Sequence, residues 1–319
     1  MRIIFLDERS MGDDVSFDEI KALGDYASYA YCDQKFVVEY SQDAEILITN
    51  KCRFTRDVLS RLSKLRLVCV TATGYDNIDI LAAQEHGIEV RNVSGYSTES
   101  VVQHTFAMLL YLTEHLRFYD EYVRNGEYER HHSFSYFSNT FTELHGKRFG
   151  VVGMGAIGRR VAAVAQAFGA EVAWASVGGV KRDEGYTQMS IVDLCAWADV
   201  ISIHSPLTPQ SRDCISHEEL VCMKPTTILI NVGRGGIVNE DALTRAVQES
   251  RIGGIGLDVL SEEPIRASNP LQAVLKYPNV LITPHMAWGS YEARSRLIHE
   301  VAVNIKDFLS GGQRNKIMG

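Results

Sequence analysis

The chain has 319 residues, of which 45 % are hydrophobic and 23 % charged, an ordinary globular composition that argues against disorder and suits two domains better than one. Its formal charge of −8 speaks against a broad basic face for duplex nucleic acid, and no stretch reaches the roughly 18 uninterrupted apolar residues of a membrane span. Six scattered cysteines without a C-x-x-C pair read as reduced thiols in a cytoplasmic protein, and Asp7 interrupts the first apolar run too early for a secretory signal.

Short apolar runs alternate with amphipathic stretches, the pattern of a parallel sheet with helices on both faces. In the first hundred residues strands are predicted over 2–6, 45–49, 66–70 and 89–92, and helices over 56–62 and 78–85, the second stopped by His86-Gly87. One long helix is predicted from 97 to about 124, capped at Ser97 or Thr98 and ended by Asn125-Gly126. Residues 126–144 are polar and aromatic without a period and contain His131, His132, Phe134, Tyr136 and Phe137. They form either a loose connection or, the preferred reading, an arm laid on a second subunit that covers the rings. A second series follows, with strands over 148–152, 171–175, 200–204, 227–232, 255–258 and 280–283 and helices over 156–168, 191–198, 240–249 and 291–309. The expected class is α/β, with two Rossmann-like, doubly wound parallel-sheet domains.

The string Gly153-Met154-Gly155-Ala156-Ile157-Gly158 fits G-x-G-x-x-G, follows a predicted strand and opens a predicted helix, the context in which that string binds a dinucleotide. Gly153 permits the tight turn, Gly155 lets backbone approach a pyrophosphate, and Gly158 lets helix and strand pack closely. Free N–H groups and the helix dipole then face the anion. The next strand lacks the acid that usually binds the ribose 2′-hydroxyl; it ends at Ser176, with Lys181 and Arg182 close behind. NAD and NADP both remain open.

Three later segments each follow the C-terminal end of a predicted strand, where open α/β sheets bind ligands. Asn231-Val232-Gly233-Arg234-Gly235-Gly236 presents an arginine between glycines, whose fork could grip the carboxylate of a 2-oxo acid. Gly256-Leu257-Asp258-Val259 leads to Glu262-Glu263-Pro264, and Thr283-Pro284-His285-Met286-Ala287-Trp288 supplies an imidazole. Hydride transfer requires little more from a protein than a positioned nicotinamide, an electrophilic anchor and a proton donor.

In order and spacing these motifs resemble the D-isomer-specific 2-hydroxyacid dehydrogenases across nearly the whole chain. Thr73-Gly74-Tyr75-Asp76-Asn77-Ile78-Asp79 and Asn92-Val93-Ser94-Gly95-Tyr96-Ser97 look like the family's N-terminal signatures. Tyr96-Ser97-Thr98-Glu99-Ser100 and Trp288 are most similar to the glycerate dehydrogenase/hydroxypyruvate reductase branch. The resemblance implies that Arg234, Glu263 and His285 are catalytic, Glu263 being the acid directly before Pro264 and Glu262 only its neighbour. It implies that Asp258 contacts the nicotinamide amide and that Pro206, Ser211, Val232 and Gly233 line the coenzyme, beside Gly153, Gly155, Ala156, Ile157, Gly158 and Ser176. Gly74, Tyr75, Lys51 and Trp288 are the expected substrate contacts, and no metal is expected. In reduction, protonated His285 would donate to the carbonyl oxygen, Glu263 would favour the imidazolium, and Arg234 would bind the carboxylate and polarise the carbonyl.

The resemblance further implies a discontinuous substrate domain, residues 1–98 and 288–319, around a dinucleotide-binding domain of 99–287, with a cleft that closes on the substrate and an arm at about 126–144 in a homodimer. Partners are then a small 2-oxo or 2-hydroxy acid, with no nucleic acid and no membrane. Lys51 and Arg53 are either ordinary surface charge or a second anion site, which would favour a D-3-phosphoglycerate dehydrogenase-like enzyme. A nucleotide-sensing corepressor-like protein is the reading from another class, and a methyltransferase would need no Arg–Glu–His set.

Overall fold

A computed structural model describes residues 1–318, and the chain divides into two compact units, Met1–Ser97 with Trp288–Gly319, and Thr98–Ala287. The first unit is built on β1 (Arg2–Phe5), α1 (Asp18–Lys21), β2 (Asp25–Ser28), α2 (Val37–Ser41), β3 (Ile46–Thr49), α3 (Arg56–Ser60), β4 (Leu67–Val70), α4 (Ile80–Glu85) and β5 (Glu89–Arg91). Its five strands are all parallel in the order β2-β1-β3-β4-β5. Every residue of β3 and β4 is buried, because helices cover both faces. One face packs the C-terminal helix Tyr291–Leu309 through Leu297, Ile298, Val301 and Ile305; the other packs Val58, Leu59, Ala82 and Ala83 from α3 and α4.

That C-terminal helix is locked by a buried cation. Arg91, fully buried at the end of β5, donates to the Asn304 carbonyl at 2.9 Å, to Asp307 Oδ2 at 2.8 Å and to the Gly312 carbonyl at 2.6 Å. Glu89 Oε1 accepts from its Nε at 2.5 Å, so the desolvated charge meets two carboxylates and two carbonyls.

The second unit begins with α5 (Thr98–Thr113) and α6 (Leu116–Arg124), where the single long helix expected from 97 to 124 breaks in two. α5 buries eight residues and α6 none, so the core-facing stripe ends at Thr113 and the chain swings aside through His115 in the left-handed region, φ 53°. Thr113 also donates back to the Leu109 carbonyl, a bond that bends helices. Asn125 and Gly126, the latter at φ 71°, end α6 as expected. Residues 126–144 then run without helix or strand and fold back along α6: Tyr136 stacks on Tyr122 at 4.3 Å, and the Tyr119 hydroxyl donates to the Asn139 carbonyl. Phe134 and Phe137 stay 91 % and 76 % exposed.

β6 (Arg148–Val152), α7 (Ala156–Ala167), β7 (Glu171–Ala175), β8 (Thr187–Met189), α8 (Ile191–Trp197), β9 (Val200–Ile203), α9 (His217–Cys222), β10 (Ile228–Asn231), α10 (Glu240–Gln248), β11 (Gly254–Leu257) and β12 (Val280–Ile282) complete this unit. Its seven parallel strands run β12-β11-β10-β9-β6-β7-β8. From β6 the chain winds first toward β7 and β8, then returns to lay β9 on the other side, creating a switch point between β6 and β9. α1, α2, β2, β8 and α9 are not anticipated from the sequence pattern: the two strands are short, partly exposed sheet edges, and the three helices span only four to six residues.

Candidate active site

The glycine-rich turn lies at the β6–α7 junction, beside the switch point. A Cβ on Gly153, which has φ 94°, would meet the backbone nitrogen of Ser205 at 2.8 Å, and one on Gly158 would run into the Gly153 carbonyl. Gly155 differs: nothing lies within 4 Å of its would-be Cβ, and its φ of −81° suits any residue, so packing within the protein gives no reason for a glycine there. Close approach by a ligand does. Gly155 is also the N-cap of α7 and offers no side-chain cap, leaving the first-turn N–H groups of this helix without a side-chain acceptor at that position. Ala156 and Ile157 form that first turn. The residues present therefore fit a dinucleotide pyrophosphate.

Other expected coenzyme residues gather nearby. A Cβ on Gly233 would lie 3.0 Å from the Ser205 carbonyl, so the segments after β6, β9 and β10 meet around Ser205. Val232 is buried there. Ser211 is 1 % exposed and organises its own turn, donating to the Pro206 carbonyl at 2.8 Å and accepting from the Thr208 amide. After β7, Ser176 Oγ accepts from the Val180 amide at 3.2 Å, and Gln188 brackets the same loop by donating to the Val180 carbonyl and accepting from the Arg182 amide. Glu184, which the motif gave no reason to single out, grips Arg159 of α7 at 3.0 Å.

The three predicted catalytic side chains all lie in the second unit, each just past a strand. Asn231 at the end of β10 donates to the Arg234 carbonyl and accepts from the Gly233 amide, a clamp that fixes the arginine's loop. Arg234 Nη1 donates to the Gly233 carbonyl at 2.9 Å, and the half-buried side chain extends from there. Gly235 sits so tightly on the Leu260 carbonyl that no side chain fits between them. The amide of that same Leu260 donates to Glu263 Oε1 at 2.9 Å, so the arginine loop abuts the loop that Glu263 ties down. Glu263 Oε2 lies 2.7 Å from His285 Nδ1. Glu240, absent from the sequence-derived set, accepts from both the amide and the hydroxyl of Ser261 and secures this loop from α10.

Asp258 was expected to address the nicotinamide, and the structure gives its carboxylate other bonds. It is 1 % exposed; Oδ1 accepts from the Thr283 hydroxyl at 2.6 Å and the Met286 amide at 2.8 Å, and Oδ2 from the Ala287 amide at 2.8 Å. Burial raises its pKa, but the His104 imidazole 3.5 Å away and these three bonds outweigh burial and hold it below the ordinary value. Pro284 and His285 lie between Thr283 and the gripped amides; His285 has a left-handed φ of 53°, and its amide donates to the Thr283 carbonyl.

The expected substrate contacts belong to the first unit. Lys51 follows β3, and its amide donates to the buried Asp7 carboxylate at 2.8 Å, which also accepts from the Asn50 amide. Burial raises the Asp7 pKa. Gly74 and Tyr75 follow β4, and Asn77 ties that loop to the first by donating to the Cys52 carbonyl at 2.8 Å, so Lys51 and Tyr75 share one end of the sheet. Trp288 packs edge-on against Tyr96 at 6.3 Å.

The model of the D-isomer specific 2-hydroxyacid dehydrogenase NAD binding domain matches residues 106–287. A glycerate dehydrogenase of Methylorubrum extorquens is 34 % identical over 320 residues, covering 99 % of this chain and 98 % of that protein. The solved D-lactate dehydrogenase from Aquifex aeolicus, complexed with NAD and lactic acid, superposes with a TM-score of 0.86 at 30 % identity over 99 % of both chains. An acyclic imino acid reductase in complex with NADPH and D-arginine superposes with a TM-score of 0.87 at 28 % identity over the full length of both.

Proposed function

The chain belongs to the D-isomer-specific 2-hydroxyacid dehydrogenase family, and from that premise we propose an NAD(P)-dependent oxidoreductase that reduces small 2-oxo acids such as hydroxypyruvate or glyoxylate and oxidises the matching D-2-hydroxy acids. The observation that carries this reading is the 2.7 Å contact between Glu263 Oε2 and His285 Nδ1. Held through Nδ1, the imidazole exchanges protons through Nε2, and the carboxylate stabilises the ring when it is charged.

A nicotinamide coenzyme bound at the glycine-rich turn supplies or removes the hydride. His285 Nε2 gives its proton to the carbonyl oxygen in reduction and takes it back in oxidation. Arg234 pairs with the substrate carboxylate through its planar fork and draws electron density from the neighbouring carbonyl, an interaction that strengthens as charge grows on oxygen. Lys51, Gly74, Tyr75 and Trp288 of the first unit are further proposed substrate contacts. The intact Glu263–His285 pair favours an enzyme over a sensing protein, which has no use for a proton relay.

Either coenzyme is compatible with Ser176, which carries no charge to repel a 2′-phosphate. The exposed rings Phe134 and Phe137 suit a homodimer in which the 126–144 segment lies on a second copy. Six free cysteines suit the cytoplasm. The test is a panel of 2-oxo acids assayed with NADH and NADPH by coenzyme absorbance. Turnover of hydroxypyruvate or glyoxylate is expected; binding of coenzyme without turnover of any 2-oxo acid would overturn the proposal.

A further inference from the structure

Beneath the turn that carries His285 lies a polar chain that the reaction as described does not use. His104 stands on α5, with its side chain 16 % exposed. Its Nε2 is 3.1 Å from Thr283 Oγ1 and 3.5 Å from Asp258 Oδ1. The Thr283 hydroxyl already donates to Asp258 at 2.6 Å, so its oxygen is left to accept, and His104 Nε2 must carry the hydrogen. The chain of donors runs His104 to Thr283 to Asp258. Asp258 in turn holds the amides of Met286 and Ala287. One turn earlier on α5, the Ser100 hydroxyl donates to the Ala287 carbonyl at 2.7 Å. α5 thus grips both ends of the segment on which His285 adopts its left-handed φ of 53°.

A non-glycine residue in that region is strained, and it persists where its surroundings over-determine it. Three hydrogen bonds to one buried carboxylate do so here, and a buried carboxylate is worth that arrangement only while its donors stay in place. We infer that His104 is a positioning residue for the reaction: through Thr283 and Asp258 it fixes the turn that presents the His285 imidazole to Glu263 and to substrate. The inference rests on the proposed role of His285.

The test measures kcat, KM for the 2-oxo acid, and coenzyme Kd by fluorescence titration for four variants of the full-length protein, with His285→Ala assayed in parallel. His104→Leu and Thr283→Val should each lower kcat by about 10- to 100-fold, the scale of a small misplacement of a reacting group. KM and coenzyme Kd should stay within about threefold, since neither the arginine loop nor the glycine-rich turn is touched. Glutamine places an amide nitrogen near the position of Nε2, so His104→Gln should recover kcat to within about threefold of wild type. Asparagine is too short to reach, so His104→Asn should behave like the leucine variant, and this polar pair keeps the comparison available if leucine prevents folding.

Wild-type kcat in His104→Leu, equal kcat in the glutamine and asparagine variants, or a coenzyme Kd that rises in step with the loss of kcat would each overturn the positioning role. The last result would mean that Asp258 serves the coenzyme. If His285→Ala keeps wild-type turnover, it is the functional reading that fails; if it is inactive while His104→Leu is normal, only this inference fails.

Discussion

Glu263 spends one carboxylate oxygen on the Leu260 amide of its own loop and the other on His285 Nδ1, 2.7 Å away and 22 residues along the chain. The first bond fixes the carboxylate, so the second fixes the imidazole. Glu263→Gln keeps a side chain of the same shape but loses the charge that stabilises an imidazolium. Its kcat for 2-oxo acid reduction is expected to fall about 100-fold, near the lower end of a general acid's contribution, while coenzyme affinity stays unchanged. Steady-state kinetics with a parallel coenzyme titration checks both halves; unchanged kcat contradicts the assigned role.

Two glycines of one motif should answer to the same substitution in opposite ways. Gly155→Ala adds a methyl group into open space, so the melting temperature should hold within a degree or two while coenzyme Kd rises at least about tenfold, roughly 1.4 kcal/mol. Gly158→Ala drives a Cβ into the Gly153 carbonyl and should lower the melting temperature markedly before any ligand is added. Thermal unfolding of both variants without coenzyme separates the two effects.

Arg91 is fully buried among Glu89, Asp307 and two carbonyls. Arg91→Met removes the cation and leaves the acids and carbonyls short of a donor, so urea unfolding should show a loss of about 3–5 kcal/mol, typical of breaking a buried pair from one side. A loss below 1 kcal/mol would show that this cluster does not hold the C-terminal helix.

Acid sensitivity should trace to His204. Burial alone pushes its pKa down from 6.5 to about 3; its Nε2 lies 2.8 Å from the Ser202 hydroxyl, and its buried Nδ1 has no hydrogen-bond partner among the described residues. Below pH 6.5 the unfolded chain takes up a proton there that the folded chain refuses. This part of the stability is therefore complete above pH 6.5 and drains away as pH falls toward 3, with a slope of up to about 1.4 kcal/mol per pH unit. Urea unfolding at pH 7 and at pH 5 should show a smaller loss for His204→Gln, which does not titrate, than for the wild type; equal losses would assign the acid sensitivity elsewhere.

Much of this molecule was legible in the sequence where local pattern and tertiary role agree. β6 and β7 match their predicted bounds because both are buried runs stopped by turn chemistry, and the C-terminal helix matches because its apolar stripe, Ser290 cap and Gly311 stop all coincide. Edge strands β2 and β8 escaped because a half-exposed strand carries no continuous apolar run. The break at His115 escaped because α5 and α6 both read as helix, and only the sheet beneath ends the buried stripe. The support under His285 could not be read at all: His104, Asp258 and Thr283 are separated by more than 150 and 20 residues, and no spacing rule joins them.

Single-turnover reduction of hydroxypyruvate or glyoxylate by His285→Ala with saturating reduced coenzyme tests directly whether His285 moves the proton. The rate should fall by about 10²–10⁴ while reduced coenzyme binds as in the wild type. A His285→Ala protein that binds coenzyme and reduces the 2-oxo acid at the wild-type rate would contradict it.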